Sequence, residues 1–246
     1  KERKIYKLTP PDVGTFLHTV LERFSQLVAG QNLSWRQLEQ DWCAEQIANI
    51  IDDMLEKMQG SGFAGSKRYR TLAKRLQRVA TRAVWLIIEH LKNSSFEPVG
   101  YEVGFGDEAE LPAIVLELDS GEQIKLTGRV YRIDALKTEE GTYLRIIDYK
   151  SGSKDFKLAD AYYGLQIQLL TYLDALAESP GLGLEGPVLP GGVLYFKIDD
   201  PLIKMKSSQE EIEKAIMKKL KMKGLLLADV KLLKHMDKNL GRTSLI

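Results

Sequence analysis

The feature that most constrains this chain is a change of hydrophobic period near residue 96. Before it, apolar residues recur at helical spacing; after it, they fall in short runs cut by turn signals. Thr9-Pro10-Pro11-Asp12 offers an N-cap, a first-turn proline and an acid, so a helix is expected to run to about Ala29. Val13, Phe16, Leu17, Val20, Phe24 and Leu27 form its apolar stripe, with Gly14, His18 and Glu22 on the adjacent one. Ser34 and Gln37 open a second expected helix over 35–59, ended by glycines 60, 62 and 65, and a third spans 66–92. Residues 99–105, 113–118, 123–136 and 142–149 are strand-like, with turns at Ser120-Gly121 and Glu140-Gly141, which predicts an antiparallel meander. A helix over 157–178, a Gly/Pro-rich loop over 181–192 and a strand over 193–198 follow, then a basic helix over 208–222. Strand, helix and strand after a meander call for an α/β fold: a mixed sheet with a crossover helix on its face. The expected divisions are a helical elaboration at 1–96 carrying His18, a core at 97–198, and a helical extension at 199–246 packed on the same domain.

Composition removes several functions. No apolar run approaches the roughly 18 to 20 residues of a membrane span. The single cysteine, Cys43, allows neither an internal disulfide nor a multi-cysteine metal site, suits a reducing compartment, and is expected as a small buried hydrophobe. The chain opens Lys1-Glu2-Arg3-Lys4 without an initiator Met, so it is expected to be a piece of a longer protein. Two G-x-G-x-x-G matches, at Gly60-Gly62-Gly65 and Gly181-Gly183-Gly186, do not lead from a strand into a helix and are taken as loops. No G-x-x-x-x-G-K-[ST] is present, so an ATP motor must lie elsewhere in the parent protein.

The strongest chemical signal is Ile146-Ile147-Asp148-Tyr149-Lys150-Ser151-Gly152, an apolar strand ending in an acid and a lysine two residues apart. A period of two puts both side chains on one face. A carboxylate there can hold a hard divalent cation, while the ammonium orients water or steadies charge developing on phosphate. In isolation the same pair is more often a salt-bridged surface. Its surroundings change that balance: Gly128 to Asp134 lies on the preceding strand, across the Thr138 to Gly141 hairpin, so that an acid on it could face Asp148 and share a metal. Downstream, Gln168 and Tyr172 fall on one helical face, with Gln166 off that stripe.

In order along the chain, Gly14 to Glu22, Tyr101 to Gly106, Gly128 to Asp134, Ile147 to Gly152 and Tyr163 to Leu173 resemble the motifs of the PD-(D/E)xK nucleases. The resemblance covers about residues 10 to 198 and points to the RecB-like branch, in particular the C-terminal nuclease domain of AddB/RexB-type helicase-nuclease subunits. It implies a restriction-endonuclease-like core and a metal-dependent DNA exonuclease of a bacterial, cytoplasmic machine of double-strand-break repair and recombination. It further implies Mg²⁺, or Mn²⁺ or Ca²⁺ in the same site, single-stranded DNA as substrate and a partner helicase-nuclease subunit. His18, Asp134, Asp148 and the backbone carbonyl of Tyr149 would bind metal, Lys150 would be the catalytic lysine beside Asp148 and Asp134, and Gln168 and Tyr172 match the Q-x-x-x-Y motif that positions DNA and braces the site. An iron-sulfur cluster is implied for the full-length parent, but Cys43 matches none of its ligands.

This chain departs from the pattern at one position. Where the family carries an acid three residues after Gly128, here stands Tyr131. Asp134 matches the second acid of a longer form, yet 131 and 134 have opposite strand parity, so it could replace the missing ligand only through a bulge, twist or register change. Two readings therefore stay open: a working nuclease, and a nuclease-like domain that serves as a DNA channel wall or subunit-docking module. Either could use the basic stripe Arg70, Lys74, Arg78 and Arg82, whose like charges at i, i+4 favour a neutralising phosphate or protein partner, though a solvated helix face explains it equally well.

Overall fold

The computed structural model describes residues 10–58, 67–151, 156–178, 182–184, 186–203, 208–241, 244 and 246. They form two compact units, one drawn from residues 1–92, 150–154 and 197–220, the other from 93–149, 155–196 and 221–246.

The first unit is helical. Helix α1 (Pro10–Gly30) buries Phe16, Leu17, Val20 and Phe24 of the expected stripe and, beside them, Leu21 and Val28, while Val13 and Leu27 are half-buried. The expected second helix is divided: a short 3₁₀ turn, Trp35–Gln37, ends at Leu38 in extended conformation, and α2 (Gln40–Met58) starts after it. The break seats Trp35 edge-on against Phe24 at 5.6 Å. Arg36 Nε donates to the Leu91 carbonyl at 2.8 Å, satisfying the end of α3 (Lys67–Lys92). Cys43 is buried on α2, as expected, and burial pushes its thiol up to about 11. Thr9 and glycines 60, 62 and 65 lie outside the described residues.

The second unit carries a five-stranded mixed sheet in the order β1-β4-β5-β6-β7. Strands β1 (Glu97–Phe105), β4 (Gly128–Lys137) and β5 (Thr142–Lys150) are antiparallel neighbours. Strand β6 (Val188–Lys197) runs parallel to β5: Thr142 N–H donates to Pro187 at one end and Ile198 N–H to Lys150 at the other. The expected long strand over 123–136 is two strands. Its first part, β3 (Gln123–Leu126), leaves the main sheet and pairs with β2 (Ile114–Glu117) as a separate ribbon.

The helix expected over 157–178 is also divided, into α4 (Leu158–Tyr162) and α5 (Gln168–Glu178), because the chain turns at Gly164 with φ +80°. Strand β6 begins inside the stretch expected as loop. A Cβ on Gly191 would stand 2.8 Å from the Leu144 carbonyl oxygen, so glycine marks a close backbone approach there and not a turn. Beyond α6 (Gln209–Lys219) the residue pattern predicts no strand, but β7 (Lys223–Leu226) pairs with β6, and α7 (Val230–Met236) closes the fold.

The two faces of the sheet have separate cores. Helix α5 covers one, packing Leu169, Tyr172, Leu173 and Leu176 with Ile133, Ala135, Leu144, Ile146 and Val193. Helix α7 covers the other, where Leu232 and Met236 meet Phe96 and Leu136.

Candidate functional site

The register of β4 against β5 decides which acids can work together. Ile133 opposes Ile146 and Asp134 opposes Arg145, so the two aspartates belong to different faces. Asp148 lies two residues beyond Ile146 and shares the α5 face; it is 5% exposed. Asp134 points to the α7 face with no exposure at all. There Arg132 Nε and Nη2 donate to its two oxygens at 2.8 and 2.9 Å, and Arg145 Nη2 donates at 2.7 Å. Burial works against the Asp134 charge, and the two guanidiniums outweigh it, holding the carboxyl below the usual carboxylate range. Arg145 is further steadied by the Met236 carbonyl at 3.4 Å and by the Phe96 ring, 4.7 Å below it. The structure thus does not bring Asp134 to Asp148, and the expectation that they share a cation is corrected: Asp134 is the anion of a buried ion-pair cluster.

Only a bulge, twist or register change could have brought Asp134 to the face of Asp148, and the irregularities present do not. Strand β1 shifts register between Pro98 and Gly100, opposite Asp134 and Ile133, with the extra residue on β1, and a second irregularity lies earlier in β4. Val130 and Ile133 are three residues apart, so strict alternation would separate them, yet both belong to the core on the α5 face. The alternation therefore slips between them. Opposite the slip, Glu102 adopts φ +54°, between the pairs Tyr101 with Arg132 and Val103 with Val130. Because the slip precedes Ile133, it leaves Asp134 where it was and affects Tyr131. The Tyr131 ring stacks at 5.7 Å on Tyr149, whose phenol is pushed up to about 12 by burial and which itself meets Phe196 edge-on.

On the α5 face the predicted Gln168 and Tyr172 do come together. Gln168 Nε2 donates to the Tyr172 hydroxyl at 2.9 Å, and the buried Tyr172 ring stacks on Phe105 at 4.9 Å. That hydroxyl sits over Gly128, where an added Cβ would overlap it, so the glycine is what lets the brace close on the start of β4. Sequence reasoning missed two groups. Arg132 was legible as an Arg-x-Asp pair at strand spacing; Tyr195, on the α5 face of β6, carries no motif. The Tyr195 phenol is raised by burial and then by the charge of Asp148.

In the helical unit, Gly14 packs so closely on Ser151 that an added Cβ would overlap the Ser151 Oγ. The stripe of α1 that carries His18 thus begins against Ser151, a residue of the same unit. The half-buried imidazole is lowered to about 4, by burial first and then by the Lys150 ammonium. Of the basic stripe, Arg78 and Arg82 form ion pairs with Asp200, the latter at 3.1 Å, while Arg70 and Lys74 are exposed on α3. No group of three or more His, Cys, Asp or Glu side chains with metal-site spacing occurs among the described residues. No helix among them is long and apolar enough to cross a membrane.

Comparison with known proteins gives a family match over residues 1–239, to the PD-(D/E)XK nuclease superfamily. Over its whole length the chain is 66% identical to the B-type subunit of the ATP-dependent helicase/deoxyribonuclease of Acetivibrio thermocellus. It is 60% identical to the protein of the same name from Ruminiclostridium cellulolyticum and 52% identical to that from Clostridium novyi. In each case the chain spans 22% of the relative's length.

Proposed function

Because the chain belongs to the PD-(D/E)XK nuclease superfamily, we propose that it is a DNA-cleaving domain of a helicase-nuclease subunit, hydrolysing phosphodiesters around Asp148 and Lys150. The observation that supports this best is the end of β5. A buried carboxylate and an exposed ammonium stand two residues apart there, on the face that the Gln168–Tyr172 brace closes against Gly128.

The donors present fit a hard cation of the Mg²⁺ kind. Such an ion keeps several waters and takes one or two carboxylates together with substrate phosphate, so a site with one strand carboxylate suits it better than it would suit an all-protein calcium cage. Asp148 and the Tyr149 carbonyl would hold it, and the resemblance adds His18, whose depressed pKa keeps its imidazole in the neutral, metal-binding form at neutral pH. When bound, the ion would neutralise phosphate charge and acidify water. Lys150 would orient the attacking water and stabilise charge on the phosphate, and Gln168 and Tyr172 would keep β4 and its Gly128 in position. A partner subunit belongs to this proposal, in keeping with relatives named as a subunit of a helicase/deoxyribonuclease; DNA repair and recombination and a single-stranded substrate belong to it through the family resemblance alone.

A second reading is favoured by one observation: Tyr131 is turned toward Tyr149 and Asp134 is committed to two arginines, so neither supplies a second carboxylate. On that reading the domain guides DNA without cutting it. Cleavage of single-stranded DNA in Mg²⁺ or Mn²⁺, beside Asp148→Ala and Lys150→Ala, separates the two. Degradation abolished by both substitutions supports the enzyme; binding by a folded, uncleaving wild-type protein supports the guide.

A further inference from the structure

We infer that Tyr162 and Tyr163 form a stacking platform for unpaired nucleobases at the mouth of the Asp148 site. This rests on the nuclease reading and adds the path of the strand.

Residues 156–168 form an arch pinned at both feet to groups of that site. At one foot the Phe156 ring stacks on Tyr195 at 5.6 Å, with only 22° between the planes, and Tyr195 is the phenol that feels the Asp148 charge. At the other foot Gln168 holds the Tyr172 hydroxyl. The feet are tied together, since the Lys157 N–H donates to Gln166 Oε1 at 3.2 Å. Within the arch, Tyr163 N–H donates to Ala159, Gly164 N–H to Ala161 and Leu165 N–H to Asp160, the last at 2.7 Å. A segment whose backbone donors are spent internally holds its crest in a defined place.

That crest is aromatic and open. Tyr162 is 84% exposed and Tyr163 75%, their rings 5.3 Å apart and nearly perpendicular, with Leu165 beside them at 77%. Tyr172, ten residues on, is 2% exposed, so the fold has a place for a buried tyrosine here and leaves these two outside it. Contiguous exposed apolar side chains of this size mark a binding surface. Two adjacent phenol rings offer π faces to any base without reading its identity, which is how proteins grip single strands. Bases in a duplex are already stacked on one another and present no free face. The anchoring of both feet to the Asp148 site selects nucleic acid over a protein partner: a strand with a phosphate at Asp148 has its neighbouring bases within the reach of the arch.

The test measures binding of a labelled oligothymidine and of a duplex of equal length to the full-length protein in EDTA, by fluorescence anisotropy. Tyr162→Ala/Tyr163→Ala is compared with Tyr162→Phe/Tyr163→Phe and with the unsubstituted protein. The alanine pair is expected to weaken oligothymidine binding by roughly tenfold or more, the phenylalanine pair to restore it, and duplex binding to change by less than about twofold. Equal oligothymidine affinity in the alanine pair, or an equal loss for the duplex, overturns the platform while leaving the nuclease reading intact. Loss of association with a partner polypeptide at unchanged oligothymidine affinity assigns the crest to protein docking and also overturns it. Failure of the unsubstituted protein to bind any DNA overturns both.

Discussion

Asp134 and Asp148 stand on neighbouring strands of one sheet, both buried, and the two faces provide for them in opposite ways. On the α7 face, Asp134 lies mid-strand inside a cage of two guanidiniums, a carbonyl and an aromatic ring, with both of its carboxylate oxygens held by arginine donors. On the α5 face, Asp148 lies near the carboxyl end of β5, with Tyr195 on the next strand and Lys150 two residues on. The lesson is that burial of a charge does not by itself signal chemistry. A buried ion fully matched by the protein is structural; one placed at a strand end beside an exposed ammonium has room for a substrate.

The widest separation of the two faces comes from one substitution on each. Asp148→Asn is expected to lower cleavage by on the order of a thousandfold while the melting temperature changes little. Asp134→Asn is expected to cost about 3–5 kcal/mol, because it leaves two buried guanidiniums without their anion, and so to lower the melting temperature by roughly 6–20 °C. Thermal melts and cleavage rates on the same preparations check both. If Asp134→Asn melts like the wild type yet loses cleavage, the division of labour between the faces fails.

A sharper version removes the charge cluster altogether. Arg132→Met/Asp134→Leu/Arg145→Met replaces a caged ion by apolar groups of similar bulk and is expected to recover most of the stability lost by Asp134→Asn, with cleavage retained. Urea unfolding of the single and triple variants gives the comparison. A triple variant less stable than the single one would mean that the cage organises the sheet and does more than neutralise Asp134.

An effect of intermediate size belongs to the α5 face. Gly128→Ala forces a methyl into the Tyr172 hydroxyl and is expected to cost about 1–3 kcal/mol, since either β4 or the brace must shift. In a Tyr172→Ala background the same change should cost much less. A double-mutant cycle with no coupling would show that the glycine is required for some reason other than this contact.

Much of this was legible in the sequence, and the failures share a cause. The helix stripe of α1, the strand character of β1, β4 and β5, the crossover helix and the pairing of Gln168 with Tyr172 all follow from local period, which sequence carries directly. The division at Thr127, the start of β6 among glycines and the presence of β7 depend on which distant backbone approaches, and period is silent about that. Asp134 shows the limit most clearly. Its spacing from Tyr131 allowed it to replace the missing acid only through an irregularity in β4, but only the packing of Val130 beside Ile133 shows that the slip falls ahead of it and leaves it on the far face.

The smallest effect concerns His18, and its sign follows from the two states. In the folded chain the imidazole is lowered to about 4 by burial and then by Lys150, whereas an unfolded histidine titrates near the ordinary 6.5. Between those values the unfolded chain binds a proton that the folded chain does not, so stability falls as pH drops from about 6.5 to about 4 and is independent of this group above that window. In EDTA, His18→Gln is expected to flatten the slope of melting temperature against pH in the window and to change little at pH 8. Asp134 acts lower, since its depressed carboxyl loses its contribution only as pH falls through and below the usual carboxylate range. A slope that survives His18→Gln but disappears with Lys150→Met would mean that the charge end of β5, and not the imidazole, carries the dependence.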